Sequence, residues 1–271
     1  MTKPHHLQIP KQLEPYRNII EKSVKPYIKV TGELGETTLF QSKFGGHPYL
    51  PLHHDHPKDS NGKPMVLLAQ LNFEEIPQNE YMPTKGMLQF FANGEDDIVG
   101  ANFDCPTEQK DFRIIYHSEV MYDESQLVTD FSYLHALDLE YFVIPKAAKL
   151  TFQQAYQPIT LGDYRFESLF QDVVDIEDII DHEEEKEFGE LYEESFGGQG
   201  HQIGGYPFFT QTDPRDWQES YREHNILLLQ IDTDNSLEIM WGDCGVANFF
   251  IRKEDLIKLD FTNVLYNWDC C

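Results

Sequence analysis

The sequence FGGHP at residues 44–48 returns, little changed, as IGGYP at residues 203–207. Two more blocks repeat in the same order: LLAQ at 67–70 returns as LLLQ at 227–230, and GMLQFF at 86–91 returns as GVANFF at 245–250. Matched positions lie 159, 160 and 159 residues apart. Chance similarity does not keep one register three times, and a fixed internal period is the mark of a repeated structural unit. The chain is therefore predicted to be an internal duplication.

Each repeated block predicts a local structure that needs no ligand. A pair of glycines followed by proline permits positive φ angles and then fixes φ, which favours a tight turn. The apolar runs 65–71 and 226–231 are too short for helices in this turn-rich setting and indicate strands buried on both faces. The predicted fold class is α+β: a β-rich, internally duplicated unit of two pseudo-equivalent antiparallel halves with a few peripheral helices.

The repeat offset also sets the predicted boundaries. Residues 1–271 are expected to form one compact body, with a first half-repeat at 28–145 and a second at 146–271. The second half is expected to include an acidic helix near 167–188. Apolar residues recur there at spacings of three and four, which places them on one face of a helix that should turn inward. This apolar set is Leu169, Val173, Ile176 and Ile180.

The charge of the chain is strongly negative and concentrated. Lys and Arg number 21 against 47 Asp and Glu, a formal charge of −26, and residues 167–194 hold thirteen of the acidic residues against the single Lys186. Such a surface repels phosphate backbones and anionic lipid, so nucleic acid and membranes are not expected as partners, whereas a basic protein is. Partner-binding candidates are Glu183, Glu184, Glu185 and Glu187. A solvated helix face explains the same acidity without any partner.

A cytoplasmic location is expected. The opening residues lack the apolar run of a signal peptide, and no window reaches the roughly 18 apolar residues that span a bilayer. Cysteines 105, 244, 270 and 271 have neither the density of a secreted disulfide framework nor the paired spacing of a zinc site, so free thiols are expected.

Motifs of known chemistry are missing from the sequence, which leaves enzyme status open. There is no nucleophile elbow, phosphate-binding loop, dinucleotide fingerprint or zinc-protease helix. The run His53-His54-Asp55-His56 holds metal-capable groups, but consecutive residues in a loop rarely point to one centre, so neither a metal site nor a cofactor is predicted. Polar and aromatic residues at motif ends are candidates for a cleft between the halves. They are Gln70, His201, Gln230, Trp241 and Asp243.

Two of these candidates, Gln70 and Gln230, end the predicted buried strands. A buried amide must satisfy up to four hydrogen-bonding valences, so a structural bond to backbone across the interface of the halves is one role and ligand binding is the other. For the cleft, the sequence predicts that Asp243 lies near enough to His201 to raise the pKa of that histidine.

The quoted blocks together resemble the bacterial YwqG family, a domain of unknown function. The resemblance runs from about residue 37 to the C-terminus and includes the segments 43–51, 62–70, 86–91, 201–207, 240–245 and 266–270. It implies a cytoplasmic bacterial α+β protein and carries no activity, cofactor or catalytic residue. The histidine run is not part of the family pattern.

Two hypotheses for function follow from the sequence. The first is a protein-interaction module, regulatory or neutralising, that uses an acidic surface. The second is a small-ligand-binding protein or enzyme whose site lies in the cleft between the two halves, where paired units commonly leave a concave surface. The acidic segment and the missing catalytic motifs favour the first.

Overall fold

A computed structural model describes residues 7–271 and has twelve strands, five short α-helices and five 3₁₀ helices within that range. The strands are β1 (Lys25–Leu34), β2 (Lys43–Phe44), β3 (Val66–Asn72), β4 (Met87–Ala92), β5 (Phe112–His117), β6 (Ala148–Gln157), β7 (Ile179–Asp181), β8 (Lys186–Glu187), β9 (His201–Gly204), β10 (Ile226–Asp232), β11 (Val246–Ile251) and β12 (Val264–Asp269). The helices are α1 (Arg17–Ser23), α2 (Phe166–Phe170), α3 (Phe188–Phe196), α4 (Pro214–Trp217) and α5 (Lys253–Ile257). The prediction of a β-rich protein with few helices is confirmed.

Ten of the strands form one antiparallel sheet in the order β12-β11-β10-β9-β1-β6-β2-β3-β4-β5. The long strands β1 and β6 pair over ten residues and form its centre. On one side lies the first wing, β2 to β5, and on the other the second wing, β9 to β12. Strand β1 comes from the N-terminal half yet borders the second wing, and β6 borders the first wing, so the two halves are interlaced.

The two wings face each other across the main core. The Phe90 ring on β4 lies 4.9 Å from the Phe249 ring on β11, and Phe112 on β5 lies 5.1 Å from Tyr266 on β12. All four side chains are fully or almost fully buried. Burial of large aromatic side chains is the main favourable term available to such a body, and these contacts fold the sheet back on itself.

Both wings carry the same pairing register. In β3–β4, Ala69 lies opposite Phe90 and Gln70 opposite Gln89, after a bulge between Leu67 and Ala69. In β10–β11, Leu229 lies opposite Phe249 and Gln230 opposite Asn248, after a corresponding bulge between Leu227 and Leu229. Phe91 and Phe250 are also buried, because loops cover the outer face of each wing.

The predicted acidic helix near 167–188 is wrong. Helix α2 ends at Phe170, and the chain then turns into the short hairpin of β7 and β8 before α3 begins at Phe188. Beyond α2, aspartate side chains bind backbone groups where the helix was predicted to continue: Asp175 Oδ1 accepts from the Glu177 N–H at 3.1 Å, and Asp178 Oδ2 accepts from the Asp175 N–H at 3.0 Å. Such local bonds compete with helical ones.

The apolar set predicted to face inward lies largely at the surface. Leu169, Val173 and Ile176 are 38%, 52% and 48% exposed, and Ile180 is half-buried. A second, smaller core forms instead from other residues of the same segment together with α1 and α3. Its buried members are Leu13, Ile20, Ile159, Phe166, Phe170, Val174, Phe188, Tyr192 and Tyr206.

None of the helices in residues 7–271 has the length and apolar character needed to cross a membrane.

Candidate functional site

The amides of Gln70 and Gln230 are buried and bound to backbone. Gln70 Oε1 accepts from the Tyr49 N–H at 2.8 Å, and its Nε2 donates to the carbonyls of Leu39 and Gln41, each at 2.9 Å. These partners lie in the same wing as Gln70 and not across the interface of the halves. All acceptor and donor atoms of this side chain are thus used inside the protein, which gives it a structural role.

Gln230 has the same three types of bond in the second wing. Its Oε1 accepts from the Phe208 N–H at 2.8 Å, and its Nε2 donates to the carbonyls of Gly198 at 2.9 Å and Gly200 at 2.7 Å. A second amide assists in each wing: Gln89 Nε2 donates to the Tyr49 carbonyl at 2.7 Å, and Asn248 Nδ2 donates to that of Phe208 at 2.8 Å. Sequence reasoning missed Gln89 and Asn248, although the repeat offset relates them.

His201 lies at the start of β9 and is 5% exposed. Its Nδ1 accepts from the Asp232 N–H at 3.0 Å, and its Nε2 lies 3.4 Å from Asp234 Oδ2 without the geometry of a hydrogen bond. Burial lowers the pKa of His201 to about 4, and Asp234 offsets only part of that effect. The predicted rise in this pKa is wrong because burial outweighs the carboxylate, and the carboxylate beside the ring is Asp234 and not Asp243.

Trp241 and Asp243 differ in burial although they are only two residues apart in the sequence. Trp241 is fully buried, and its ring lies 5.9 Å from that of Trp268. Asp243 is exposed on the turn before β11. Of the five cleft candidates, Gln70 belongs to the first wing and the other four to the second, and the side-chain bonds described above join no two of them.

The partner-binding candidates Glu183, Glu184 and Glu185 form the tip of the β7–β8 hairpin and are exposed, as is Glu187 in β8. Glu185 has a φ of +55°, as a tight turn requires. Lys186 lies 2.7 Å from Glu194 and 3.3 Å from Glu184. That single lysine offsets a small part of the negative charge of the segment.

A groove of about 650 Å³ lies between α2, the turn that follows it and the loop before α4. We call it the acidic groove. Its apolar floor includes Phe166, Phe170 and Val174, which are nearly fully buried, and its rim includes Ile176, which is 48% exposed. Exposed carboxylates complete the rim: they belong to Glu167, Asp175, Glu177 and Asp216.

A buried ion-pair cluster holds one wall of the acidic groove in place. Asp213 Oδ2 lies 2.6 Å from Arg215 Nη2, and Asp163 Oδ2 lies 2.6 Å from Arg165 Nη2 and 3.5 Å from Arg215 Nη2. Burial would raise the pKa of Asp163, but the bonds from Arg165 and the charge of Arg215 outweigh it and lower that pKa. The cluster was not anticipated, although both arms share the pattern Asp-x-Arg at 163–165 and 213–215.

The side chains of the histidine run at residues 53–56 have different contacts. His56 binds the Met65 carbonyl and the Tyr133 hydroxyl through its two ring nitrogens, whereas the His54 ring lies 4.5 Å from His53 and 5.2 Å from His117. Burial, together with His54 and His53, lowers the pKa of His117 to about 4. Within residues 7–271 no group of three or more His, Cys, Asp or Glu is arranged to hold a metal ion.

Comparison with known proteins gives one family. The model of a domain of unknown function, DUF1963, matches residues 42–270, which is most of the chain and includes both wings. No curated protein matches the sequence.

Proposed function

We propose that this chain, which belongs to the DUF1963 family of domains of unknown function, is a protein-interaction module whose acidic groove receives a basic segment of a partner protein. The observation that carries the proposal is the combination of an apolar floor with a rim of exposed carboxylates in one concave surface. The occupant is a peptide segment with lysine or arginine beside apolar side chains. Binding of this kind would regulate or neutralise the partner.

Charge complementarity supports a basic occupant. Among the described residues, no lysine or arginine lies within salt-bridge distance of Glu167, Asp175 or Glu177, whereas Asp163 and Asp213 beneath them are paired with arginines. These three carboxylates are therefore not neutralised within the chain, whereas Asp216 on the same rim has Arg222 at 3.9 Å. A cationic partner would supply the missing counter-charge, and the net charge of −26 steers its approach. The same field repels nucleic acid.

Exposed apolar surface supports a partner with apolar side chains. Val173, Ile176 and Ile179 are each close to half exposed and follow one another along the segment beside the groove. Burying apolar surface contributes about 25 cal/mol per Å², so this surface supplies affinity that charge alone does not. The hairpin tip at 183–185 lies next along the chain and adds a second acidic contact in the proposal.

A designed probe tests the groove directly. The probe is a fluorescein-labelled amphipathic peptide of lysine and leucine, and a second peptide carries glutamate in place of lysine. Fluorescence anisotropy is measured at about 20 mM and about 300 mM salt, because exposed charges are screened over a Debye length. The lysine peptide is expected to bind and to weaken with salt, and the glutamate peptide is expected not to bind.

Matched variants separate the groove from general charge attraction. In the triple variant Glu167→Gln, Asp175→Asn, Glu177→Gln, loss of three ion pairs of about 0.3 kcal/mol each weakens binding about fivefold. The control triple replaces three exposed glutamates elsewhere, Glu33, Glu36 and Glu219, by glutamine. Equal loss in both triples would show nonspecific attraction and refute the groove as the site.

Two further variants assign the rest of the surface. Ile176→Ser removes apolar contact and leaves charge unchanged, so it should weaken the peptide at both salt concentrations. The variant with Glu183, Glu184 and Glu185 replaced by glutamine tests the hairpin tip and should weaken binding mainly at low salt. Unchanged affinity in Ile176→Ser would contradict the apolar part of the proposal.

We also infer that the wings arose by internal duplication, as half-repeats 28–145 and 146–271 of one compact body, and that the chain is YwqG-like, bacterial and cytoplasmic. The recurring registers of β3–β4 and β10–β11 support the duplication. The four cysteines are free thiols, three of them exposed, which supports a reducing compartment. A free-thiol titration of protein from reducing and oxidising hosts checks the compartment.

A further inference from the structure

A second cavity, of about 330 Å³, lies at the junction of the wings. Its walls come from the start of β1, the loop 79–82 of the N-terminal half, the end of β9, the start of β10 and helix α5. This volume is at the lower end of the range for small-molecule sites. None of the five candidate cleft residues lines it.

Cationic side chains outnumber carboxylates in the lining of this cavity, in contrast to the rest of the molecule. Lys25, Arg165 and Lys253 line it, and the only carboxylate among its lining residues is that of Glu80, which is exposed. Arg165 is paired with Asp163 at 2.6 Å. Among the described residues, Lys25 and Lys253 have no carboxylate within salt-bridge distance, although the chain carries 47 acidic residues.

Aromatic rings hold the two free ammonium groups. Lys25 Nζ lies 4.2 Å from the centre of the Tyr206 ring, and Lys253 Nζ lies 4.3 Å from that of Tyr81. Cation–π contacts orient an ammonium group without neutralising it, so each lysine keeps its charge available to a ligand. Burial, with the nearby charges of Arg165 and Arg215, lowers the pKa of Lys25 to about 8, and Asp163 offsets only part of that effect.

The backbone leaves room for a ligand at the same place. Gly204 has a φ of +73°, and a Cβ atom added there would meet only the Asn79 amide nitrogen, at 3.0 Å. The Asn79 side chain makes no hydrogen bond to the residues described, so its two N–H groups are free to donate. Uncommitted donors and unpaired cations therefore face one small cavity.

We propose that this cavity, the anion pocket, binds a small organic oxyanion, a phosphate ester or a polycarboxylate, through the ammonium groups of Lys25 and Lys253 and the side-chain amide of Asn79. Met82 and Leu227 in the wall contact the apolar part of the ligand. The charge-assisted bonds supply most of the affinity, and the small volume limits the ligand to a metabolite-sized molecule. The site goes beyond the proposed partner binding and does not depend on the acidic groove.

The test is titration of the full chain with inorganic phosphate and, separately, with citrate, against chloride at equal ionic strength. Melting temperature is followed by intrinsic fluorescence, and the dissociation constant by calorimetry. Saturable stabilisation by phosphate alone assigns phosphate esters, and by citrate alone assigns polycarboxylates; either supports the pocket. Absence of a saturable rise with both anions would overturn the proposal.

Variants locate the effect. Lys25→Met and Lys253→Met each keep the side-chain stem and should weaken the bound anion about tenfold, because each removes one charge-assisted contact. Lys29→Met on β1 and Lys258→Met after α5 are exposed controls that should leave affinity unchanged. Lys253 is exposed on a surface helix, so its variant folds even if Lys25→Met does not. Equal weakening in the controls would refute the assignment.

The pH dependence provides a further readout. Lys25 is faced by Arg165, Asp163 and Arg215, and across the cavity by Lys253 and Glu80. Because the pKa of Lys25 is about 8 in the protein without a ligand, its ammonium group loses its proton above that pH. The affinity for the anion should therefore fall as pH rises through that range. Lys25→Met should show a flatter profile. Parallel profiles in the wild type and this variant would remove Lys25 from the site.

Discussion

Replacement of Gln230 by methionine should destabilise the protein strongly, because the amide joins β10 to the loops that cover it. Methionine is similar in size but leaves the Phe208 N–H and the carbonyls of Gly198 and Gly200 without their partner. Each unsatisfied buried group costs about 1–3 kcal/mol, and the apolar gain of the thioether offsets about 1 kcal/mol. The free energy of unfolding should therefore fall by at least about 2 kcal/mol, a large share of the roughly 5–15 kcal/mol typical of a folded protein.

Urea unfolding followed by circular dichroism measures this loss. The slope of the unfolding free energy against urea concentration should be the same in the variant and the wild type, which shows that both expose the same amount of surface on unfolding. Gln70→Met should lose at least as much, because Gln70 has the same three bonds and also accepts from Gln89 Nε2 at 2.8 Å. The control is Gln153→Met on β6, which is exposed and should change the free energy of unfolding by less than about 0.5 kcal/mol. A loss below about 1 kcal/mol in Gln230→Met would refute the structural role of the amides.

Three further predictions concern buried groups. His201 has a pKa of about 4 in the folded protein against an ordinary value of 6.5, so the unfolded state binds more protons between these values and stability falls as pH falls through that range. The fall between pH 7 and pH 5 should be on the order of 2 kcal/mol smaller in His201→Phe, and equal slopes would contradict this. Phe249→Ala removes the ring that packs on Phe90 and should cost about 3–5 kcal/mol in urea unfolding, against less than about 0.5 kcal/mol for exposed Ile257→Ala. Asp213→Asn leaves the buried guanidinium of Arg215 with only the more distant Asp163 and should cost at least about 3 kcal/mol, so a loss under about 1 kcal/mol would show that the pair is dispensable.

The strands of the two wings could be predicted because their sequence signals are local. The continuous apolar runs that contain Gln70 and Gln230 indicate buried strands because they are too short for helices, and β3 and β10 lie where those runs predict. The central strand β1 was not predicted. Charged residues recur along it at every fourth position, at Lys25, Lys29 and Glu33, and one face of the strand is exposed to solvent. A half-exposed, charged strand has little apolar signal of its own.

The site was less predictable than the fold, because it depends on contacts between distant segments. The spacing of Leu169, Val173 and Ile176 predicts a helix, but aspartate side chains bind the backbone beyond α2, where the helix was predicted to continue. The lining of the anion pocket brings Lys25 near Lys253, more than 200 residues away in sequence. Only the tertiary fold places such residues in one cavity.

The interlaced central strands determine when the chain can fold during its synthesis. Strand β1 leaves the ribosome first, yet both of its neighbours, β6 and β9, are made more than 100 residues later. The first wing likewise waits for β6 before its inner edge at β2 is covered. Until then, unpaired backbone N–H and C=O groups of the nascent chain are open to pairing with other chains, which is an aggregation hazard. A chain released at residue 145 would keep that open edge permanently, so each half depends on the other for its completed sheet.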